Sequence, residues 1–277
     1  MEFFESEKIS PSTTKITNIQ NVFCYLVEGT DRAALIDTGS GAGDLKAYVQ
    51  SLTKKSVTVI LNHGHCDHAG GAAPFQEVYL NEADWELVKV HASMEMKRDY
   101  IAFALGVKME ELPENDIYPE RTEGYLPLED GQTFDLGGIT LEAVAVPGHT
   151  KGMMCILNRE ERTILFGDGC NPAVFLWDEE ALSVEEYLES LKQLKKYEKL
   201  YDKVYLSHAA TVVDKSILDD VMEVCMEIMQ GKADGQPFAF MDKEGLKIAK
   251  MTGQDGLRTD GKLGNIVYHP GKIFSSR

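Results

Sequence analysis

Short apolar runs separated by polar turns set the pattern of the first part of the chain. Residues 22–27 and 33–36 flank Glu28-Gly29-Thr30-Asp31, a spacing that is typical of a β-hairpin. Residues 57–61 are apolar and rich in β-branched side chains, so they predict a buried strand, and residues 78–80 predict a further short strand. The first part of the chain is therefore predicted to contribute several neighbouring strands.

Apolar residues at helical spacing predict helices outside these strands. A helix from about residue 44 to residue 52 follows a glycine-rich loop at residues 39–43, which lacks the glycine and lysine pattern of nucleotide sites. A capping box opens a second helix at Ser183, and Asp214 is expected to cap a last long helix that ends at Gly231. The apolar faces of these two helices consist of Val184, Tyr187, Leu188, Leu191 and Leu194, and of Ile217, Leu218, Val221, Met222, Cys225, Ile228 and Met229. Strands in both halves with helices between them support an α/β fold class.

Two segments fall outside this pattern. Residues 81–125 are predicted to form a helical insert of two amphipathic helices followed by a loop with Pro113 and Pro119. The insert is expected to act either as a lid over a substrate pocket or as a homodimer contact. Residues 232–277 form a polar, glycine-rich C-terminal extension that could contain a strand at residues 265–268.

Composition is typical of a single globular domain. With 277 residues and 43% hydrophobic content, residues 1–277 are expected to fold as one large α/β domain. No apolar run is long enough to cross a bilayer, and the acidic N-terminal residues contain no apolar leader segment. The five cysteines are scattered and form no C-x-x-C motif, so they do not indicate a disulfide framework. Cys66 and Cys170 are read as small buried fillers, and a cytoplasmic location is expected.

Charge argues against a nucleic-acid substrate. The chain has 28 Lys and Arg residues against 45 Asp and Glu residues, and its formal net charge is -17. Proteins that bind nucleic acid need a basic surface to neutralise phosphates. A small-molecule substrate is therefore expected, with no nucleic acid and no membrane as a partner.

The strongest chemical signal is a cluster of four candidate metal ligands. His63, His65, Asp67 and His68 lie within six residues, directly after the strand predicted at residues 57–61. Imidazole nitrogen and carboxylate oxygen are the ligands that zinc and its neighbours prefer. His63 and His65 are two residues apart, so on extended backbone their side chains point the same way. Asp67 and His68 diverge, which suits a second metal beside the first.

Other predicted strands end in the same residue types. Asp37 follows residues 33–36, His149 follows residues 139–146, and Asp168 follows residues 163–166. His208 follows the apolar run at residues 204–206. Each residue alone could be structural, but the set is hard to explain by chance. Gly70 and Gly71 are expected to let the chain turn after the cluster.

The order H-x-H-x-D-H, then His, Asp and His, resembles that of the metallo-β-lactamase-fold superfamily, and it extends from Asp37 to His208. The resemblance implies an αββα sandwich of two mixed β-sheets with helices on both outer faces. It also implies two divalent metal ions, with zinc as the default and iron or manganese as alternatives. The implied ligands are His63, His65 and His149 for one metal, Asp67, His68 and His208 for the other, and Asp168 as the bridge. Asp37 would orient the ligand loop.

The details of the match narrow the branch of the superfamily. True β-lactamases of this fold generally lack the bridging Asp, and the diiron flavoprotein branch carries Glu where this chain has His65. The context Asp67-His68-Ala69-Gly70-Gly71 is most similar to thioesterases of the glyoxalase II type and to lactonases. The alternatives that stay open are a phosphodiesterase, an iron-dependent persulfide dioxygenase, and a low-turnover signalling or effector protein that keeps the metals.

The resemblance implies hydrolysis of a small acyl substrate, a thioester or a lactone, by hydroxide held between the two metals. Asp67 and Asp168 would be the catalytic carboxylates, and Asp67 would also steer a proton toward the leaving group. Tyr205 and the tyrosines of the insert are candidate donors to the oxyanion. Residues that could bind a substrate carboxylate, although a surface role is favoured for each, are Arg258, Lys262, Tyr268 and His269.

Overall fold

The two halves of the chain each form a mixed β-sheet in the computed structural model, which describes residues 2–108, 116–241 and 243–275. The first sheet contains, in spatial order, β1 (Phe4–Lys8), β2 (Thr13–Asn18), β3 (Phe23–Glu28), β4 (Ala33–Ile36), β5 (Val57–Ile60), β6 (Val78–Leu80) and β7 (Leu126–Pro127). The second contains β14 (Val212–Val213), β13 (Lys203–Tyr205), β11 (Thr163–Leu165), β10 (Met154–Asn158), β9 (Thr140–Ala145) and β8 (Thr133–Asp135).

Strand β3 illustrates why these sheets pack face to face. Successive side chains of a strand point to opposite faces of the sheet. Phe23, Tyr25 and Val27 therefore lie in the apolar layer between the two sheets. Cys24 and Leu26 lie on the other face, in the layer beneath the helices of the first half. The predicted hairpin is confirmed, because β3 pairs antiparallel with β4, and β4 then pairs parallel with β5.

Helices cover both outer faces of the sandwich. The α-helices are α1 (Leu45–Leu52), α2 (Cys66–Ala69), α3 (Trp85–His91), α4 (Met94–Leu105), α5 (Val184–Leu194) and α6 (Ile217–Met229), with short 3-10 helices at Glu82–Asp84, Lys195–Leu200 and Pro270–Lys272. Leu45 and Val49 of α1 and Val88 of α3 pack on the first sheet. Helices α5 and α6 pack on the second sheet. The predicted αββα arrangement is confirmed, and none of the described helices has the length and apolar character needed to span a membrane.

The predicted helix ends have mixed outcomes. The capping box at Ser183 is present, because Ser183 and Glu186 exchange hydrogen bonds between side chain and backbone. The prediction that Asp214 caps α6 is wrong. Ser216 occupies the capping position, and Asp214 Oδ1 accepts a hydrogen bond of 2.9 Å from Ser216 N, which closes a turn before the helix. Gly231 follows the helix with φ of 67°, as a helix end requires.

A small third sheet was not predicted. It contains β12 (Val174–Leu176), β17 (Ile266–Tyr268), β16 (Lys247–Ile248) and β15 (Gln236–Pro237) in spatial order. The expected C-terminal strand is β17, which pairs parallel with β12. Val174 and Leu176 pack in the same core as α5 and α6, whereas Phe175 faces the opposite side of the sheet.

The insert forms the two expected helices, α3 and α4. Leu87 and Val88 of α3 and Ile101 and Ala102 of α4 are buried, so both helices pack against the body of the protein. Pro119 lies in the loop that follows, whereas Pro113 lies outside the described residues.

Candidate metal centre

The candidate ligands lie at the carboxyl ends of strands that meet at one edge of the sandwich. In the first sheet β4 and β5 run parallel, so Asp37 and the loop that begins at His63 leave the sheet side by side. In the second sheet β9 and β11 are both antiparallel to β10, and β13 is parallel to β11. The strands β9, β11 and β13 therefore share one direction, and His149, Asp168 and His208 follow their ends.

The loop after β5 is fixed from both sides. Asn62 N donates a hydrogen bond of 2.8 Å to Asp37 Oδ1, and the short helix α2 begins after His65. Gly70 does not act as a flexible turn, because its φ of -61° is helical. A Cβ atom at Gly70 would lie 2.6 Å from Ser40 O, and one at Gly71 would lie 2.3 Å from Thr38 O. The two glycines therefore let the ligand loop pack tightly against the loop after β4.

Three imidazole nitrogens form the first ligand group. His63 Nε2 lies 3.1 Å from His65 Nδ1, and His65 Nδ1 lies 3.0 Å from His149 Nε2. A tetrahedral zinc ion with zinc–nitrogen bonds of about 2.0–2.1 Å places its nitrogen ligands about 3.3 Å apart. The residues therefore fit such an ion in both chemistry and spacing.

A second group forms around His68. His68 Nε2 lies 3.2 Å from His208 Nε2 and 3.6 Å from Asp67 Oδ2, and His208 Nε2 lies 3.4 Å from the same Asp67 oxygen. The side chain of His68 is fully buried, whereas that of His208 is 32% exposed. The centre therefore opens to solvent on the side of His208.

Asp168 lies between the two groups. Its Oδ2 atom is 3.4 Å from His68 Nε2, 3.4 Å from His208 Nε2 and 3.7 Å from His149 Nε2. Its other oxygen, Oδ1, accepts a hydrogen bond of 3.3 Å from Asn171 Nδ2. Asn171 was not singled out in the sequence, and it turns one carboxylate oxygen of Asp168 toward the imidazoles of both groups.

Hydrogen bonds on the far ring nitrogens orient two of the histidines. His68 Nδ1 donates to Asp37 Oδ2 at 2.8 Å, and His149 Nδ1 donates to Phe175 O at 2.9 Å. Each ring thus presents Nε2 to the centre. Asp37 has φ of 61°, a left-handed conformation that is uncommon outside glycine, asparagine and aspartate. The backbone at Asp37 is therefore shaped to hold His68.

Burial and charge set the protonation of these side chains. Burial, reinforced by neighbouring imidazoles, holds the pKa values of His63 and His65 well below the usual histidine range. Burial opposes ionisation of Asp168, but the imidazoles of His208 and His68 outweigh it and hold its pKa well below the usual range. Neighbouring carboxylates instead outweigh burial at His68 and His208 and raise their pKa values, so a metal ion that binds there would displace protons from these imidazoles.

Asp84, at the start of the insert, joins the two ligand loops and was missed in the sequence. Its carboxylate accepts hydrogen bonds from Gly64 N at 3.0 Å, from Thr150 Oγ1 at 2.7 Å and from Gly152 N at 2.7 Å. Gly64 lies between two candidate ligands, and Thr150 follows His149. Asp84 is almost fully buried, and burial raises its pKa.

Two further residues of the insert approach the centre. Tyr100 of α4 donates a hydrogen bond of 2.9 Å to Asp67 Oδ2. His91 of α3 accepts one of 3.3 Å from Cys66 N, and its ring centroid lies 4.7 Å from that of His65. The sequence offered the insert tyrosines only as a group, and no motif pointed to His91.

Several candidate contacts lie elsewhere. The prediction that Tyr205 donates to an oxyanion is wrong, because its ring stacks on Tyr25 between the sheets, with 5.7 Å between centroids. Arg258 donates to Asp260 and to Gly264 O, which is a structural role. Lys262 forms an ion pair with Glu223, and His269 Nδ1 accepts a hydrogen bond from Gly271 N. All five cysteines are buried free thiols, and burial raises the pKa values of Cys66 and Cys170, as expected of fillers.

The family description "Metallo-beta-lactamase superfamily" matches residues 18–208, which is more than half of the chain and includes every candidate ligand. The chain belongs to the metallo-β-lactamase superfamily. The predicted superfamily is therefore confirmed, and with it the prediction of an enzyme of this superfamily. The glyoxalase II and lactonase branch stays a prediction.

Relatives within the superfamily carry several names. The chain is 27% identical over 174 residues to the lactamase-like protein ptaB of Pestalotiopsis fici, covering 58% of this chain and 46% of that protein. It is 24% identical to the probable polyketide biosynthesis zinc-dependent hydrolase BaeB of Bacillus velezensis, covering 68% of this chain and 72% of that protein. It is 23% identical to the human acyl-coenzyme A thioesterase MBLAC2, covering 52% and 56%. The match thus spans less than half of ptaB and just over half of MBLAC2.

Solved structures of the superfamily share the fold. A metallo-beta-lactamase from Pontibacter korlensis superposes with a TM-score of 0.58 at 20% identity, over 79% of this chain and 97% of that one. A metallo-beta-lactamase family protein from Thermus thermophilus gives 0.54 at 21% identity, over 83% and 82%. At these identities the likeness establishes the fold alone.

Proposed function

We propose that this member of the superfamily is a two-metal hydrolase that cleaves small acyl thioesters. The observation that supports the proposal most directly is the position of Asp168 Oδ2, between the imidazole of His149 on one side and those of His68 and His208 on the other. A single carboxylate oxygen shared by two ligand groups is the arrangement expected of a bridging ligand.

Seven residues would hold the two ions. The proposed set for the first ion is His63, His65 and His149, and that for the second is Asp67, His68 and His208. Asp168, which groups with His63 of the first set and His68 of the second, would be shared. Zinc is the default occupant of such nitrogen and oxygen sites, and iron or manganese would also fit. Bound there, two divalent cations would lower the pKa of a water molecule toward neutrality and polarise a substrate carbonyl.

Other side chains and one backbone carbonyl would orient the metal ligands. Asp37 and the carbonyl of Phe175 keep the rings of His68 and His149 turned toward the centre. The hydroxyl of Tyr100 donates its proton to Asp67 Oδ2, so it would orient this carboxylate as a ligand. No serine or cysteine nucleophile is needed, because water is the attacking group.

Two observations favour a thioester over a phosphodiester. Two of the relatives are named as thioesterases, one as an acyl-coenzyme A thioesterase and one as an atrochrysone carboxyl ACP thioesterase. The chain also has 45 acidic against 28 basic residues, which disfavours a polynucleotide substrate along its surface. A small acyl group needs only the centre and a few polar or apolar contacts.

Metal analysis combined with a hydrolysis panel tests the proposal. Elemental analysis of protein purified without chelator should approach two ions per chain. The panel contains an acyl-coenzyme A thioester, a lactone and bis(p-nitrophenyl) phosphate, and we expect the thioester to have the highest kcat/KM. Asp168→Ala should lower both metal content and hydrolysis, whereas His269→Ala, which removes an exposed histidine whose ring accepts a hydrogen bond from Gly271 N, should change neither.

Three results would contradict the proposal. A phosphodiester or lactone that outpaced every thioester would change the substrate class. One equivalent of iron that persisted after metal supplementation would favour the dioxygenase alternative. Full metal content and full rate in Asp168→Ala would remove the bridging role.

A further inference from the structure

A cluster of partly buried and exposed aromatic rings, which we call the aromatic wall, lies beside the metal centre. It consists of Phe103 from α4, Phe175 and Trp177 from β12 and the residue after it, and Phe238 and Phe240 from the segment between β15 and β16. The ring centroids of Phe175 and Phe240 are 4.8 Å apart, those of Phe175 and Phe238 are 6.0 Å apart, and those of Phe103 and Phe240 are 5.7 Å apart. Three separate parts of the chain therefore converge on one apolar surface.

Backbone connections join this wall to both sides of the centre. The carbonyl of Phe175 accepts the hydrogen bond from His149 Nδ1. The same residue therefore orients one candidate ligand and contributes a ring to the wall. Tyr100, which contacts Asp67, precedes Phe103 by three residues on α4, and residues at this spacing lie on the same helix face. The Phe103–Phe240 contact thus links the Asp67 side of the centre to the His149 side.

The wall is not an ordinary part of the core. The side chain of Phe103 is 50% exposed and that of Met241, beside Phe240, is 48% exposed. Trp177 Nε1 is buried and lacks a hydrogen-bond partner among the described residues, whereas the other tryptophan, Trp85, donates to Leu80 O at 3.2 Å. An apolar surface with an unpartnered donor, continuous with a catalytic centre, is typical of a substrate site.

We propose that the aromatic wall binds the apolar acyl chain of the thioester while its carbonyl lies at the metal centre. The inference rests on the proposed function and deepens it, because it assigns the substrate class as apolar acyl thioesters rather than acetyl or polar acyl groups. Each methylene buried against the wall should strengthen binding by about fourfold. Specificity would then arise from the insert and the C-terminal segment together.

Kinetics with two thioesters tests the assignment. For wild type, kcat/KM for octanoyl-coenzyme A should exceed that for acetyl-coenzyme A by about 100-fold or more, since six additional methylenes are available to the wall. Phe240→Ala and Phe103→Ala should each lower this octanoyl-to-acetyl ratio by about tenfold. Phe274→Ala, which removes a phenyl ring that is 55% exposed outside the wall, should leave the ratio unchanged. Phe103 is exposed, so its variant should fold even if Phe240→Ala does not.

A binding measurement separates this inference from the proposed function. In a Trp85→Phe background Trp177 is the only tryptophan, so its fluorescence reports on the wall. Titration with octanoate should change this fluorescence at saturating concentrations, acetate should not, and Phe240→Ala should weaken the octanoate affinity by about tenfold. Octanoate binding without hydrolysis of any thioester would reject the proposed function and leave the wall as an apolar ligand site. Thioester hydrolysis with unaltered ratios in both variants and no octanoate response would overturn the wall assignment and leave the function intact.

Discussion

The hydroxyl of Tyr100 donates a hydrogen bond of 2.9 Å to Asp67 Oδ2, the carboxylate oxygen that also lies 3.4 Å from His208 Nε2. One residue of the insert thereby reaches a candidate ligand of the second metal. Burial, reinforced by the charge of Asp67, raises the pKa of Tyr100, so its hydroxyl remains a protonated donor. The insert therefore contributes a hydrogen bond to one candidate ligand in addition to packing against the body of the protein.

Removal of this hydroxyl tests its role. Tyr100→Phe keeps the ring but leaves Asp67 without its donor, and we expect kcat to fall by about tenfold or more, with weaker retention of the second metal ion. Elemental analysis and steady-state kinetics give the two readouts. Tyr79→Phe, which removes a hydroxyl that contacts Glu77 in the first sheet, serves as the matched control. Unchanged kinetics in Tyr100→Phe would mean that Asp67 is held without this donor.

Asp37 allows a test that separates charge from backbone shape. Asp37→Asn keeps a side chain that tolerates the left-handed conformation but loses the charge opposite His68, so metal affinity should fall by about 10- to 100-fold with little loss of stability. Asp37→Ala should lose the same affinity and also about 2 kcal/mol or more of the free energy of unfolding, because alanine is strained at this φ and leaves the buried Asn62 N without its acceptor. Competition with a chelator and urea unfolding of the metal-free proteins provide the measurements. Equal stability of the two variants would rule out the backbone contribution.

The strand ends explain why so much of the centre could be predicted from sequence. A strand of apolar residues that ends in His or Asp places that residue at a sheet edge, and strands that share a direction bring their ends together. His63, His149 and His208 follow this rule, and the structure brings them together with the other predicted ligands. Asp37 was found in the same way. Its left-handed backbone could not be predicted, because an aspartate in the sequence does not indicate that conformation.

The supporting residues were harder to predict because tertiary contacts alone define them. Asp84 sits in the sequence Asn81-Glu82-Ala83-Asp84, where nothing distinguishes a buried acceptor from a surface acid. The third sheet pairs β12 with β17 across about 90 residues of chain. Such a pairing depends on packing against α5 and α6 and not on a local pattern. Asp214 was misassigned because an aspartate can close a turn as well as cap a helix.

The two metal positions should respond differently to loss of a ligand. His208→Ala should empty mainly the second position, because His208 lies with Asp67 and His68, whereas His149→Ala should empty mainly the first. Metal content after dialysis against a weak chelator, followed by titration with zinc, distinguishes the two variants. Equal loss of both ions in each variant would indicate that the positions fill cooperatively and do not act as separate sites.

Asp84 should matter for stability even without metal. Asp84→Ala leaves three buried donors, on Gly64, Thr150 and Gly152, without their acceptor, and we expect a loss of about 3 kcal/mol in the free energy of unfolding. Urea unfolding in the presence of chelator isolates this effect from metal binding. Asp202→Ala, which removes an exposed acid paired with Arg162, should change stability far less. A loss in Asp84→Ala no larger than that in the control would mean that water replaces the carboxylate.

Lys97 makes the stability of the protein depend on pH. Its side chain is fully buried on α4, its ammonium group donates to the carbonyls of Tyr118 and Pro119, and burial lowers its pKa to about 8. In the unfolded chain a lysine has a pKa of about 10.4. Between these values the unfolded chain binds more protons than the folded one, so the contribution of Lys97 to stability rises as pH increases from about 8 toward 10.

Lys97→Met removes this contribution and keeps most of the side-chain volume. Urea unfolding of metal-free wild type and variant at pH 7.5 and pH 9.5 should show wild type gaining about 1 kcal/mol relative to Lys97→Met at the higher pH. Because other groups titrate equally in both proteins, only the difference between them reports on Lys97, and a difference that stays constant with pH would mean that the ammonium group is solvated in the folded protein.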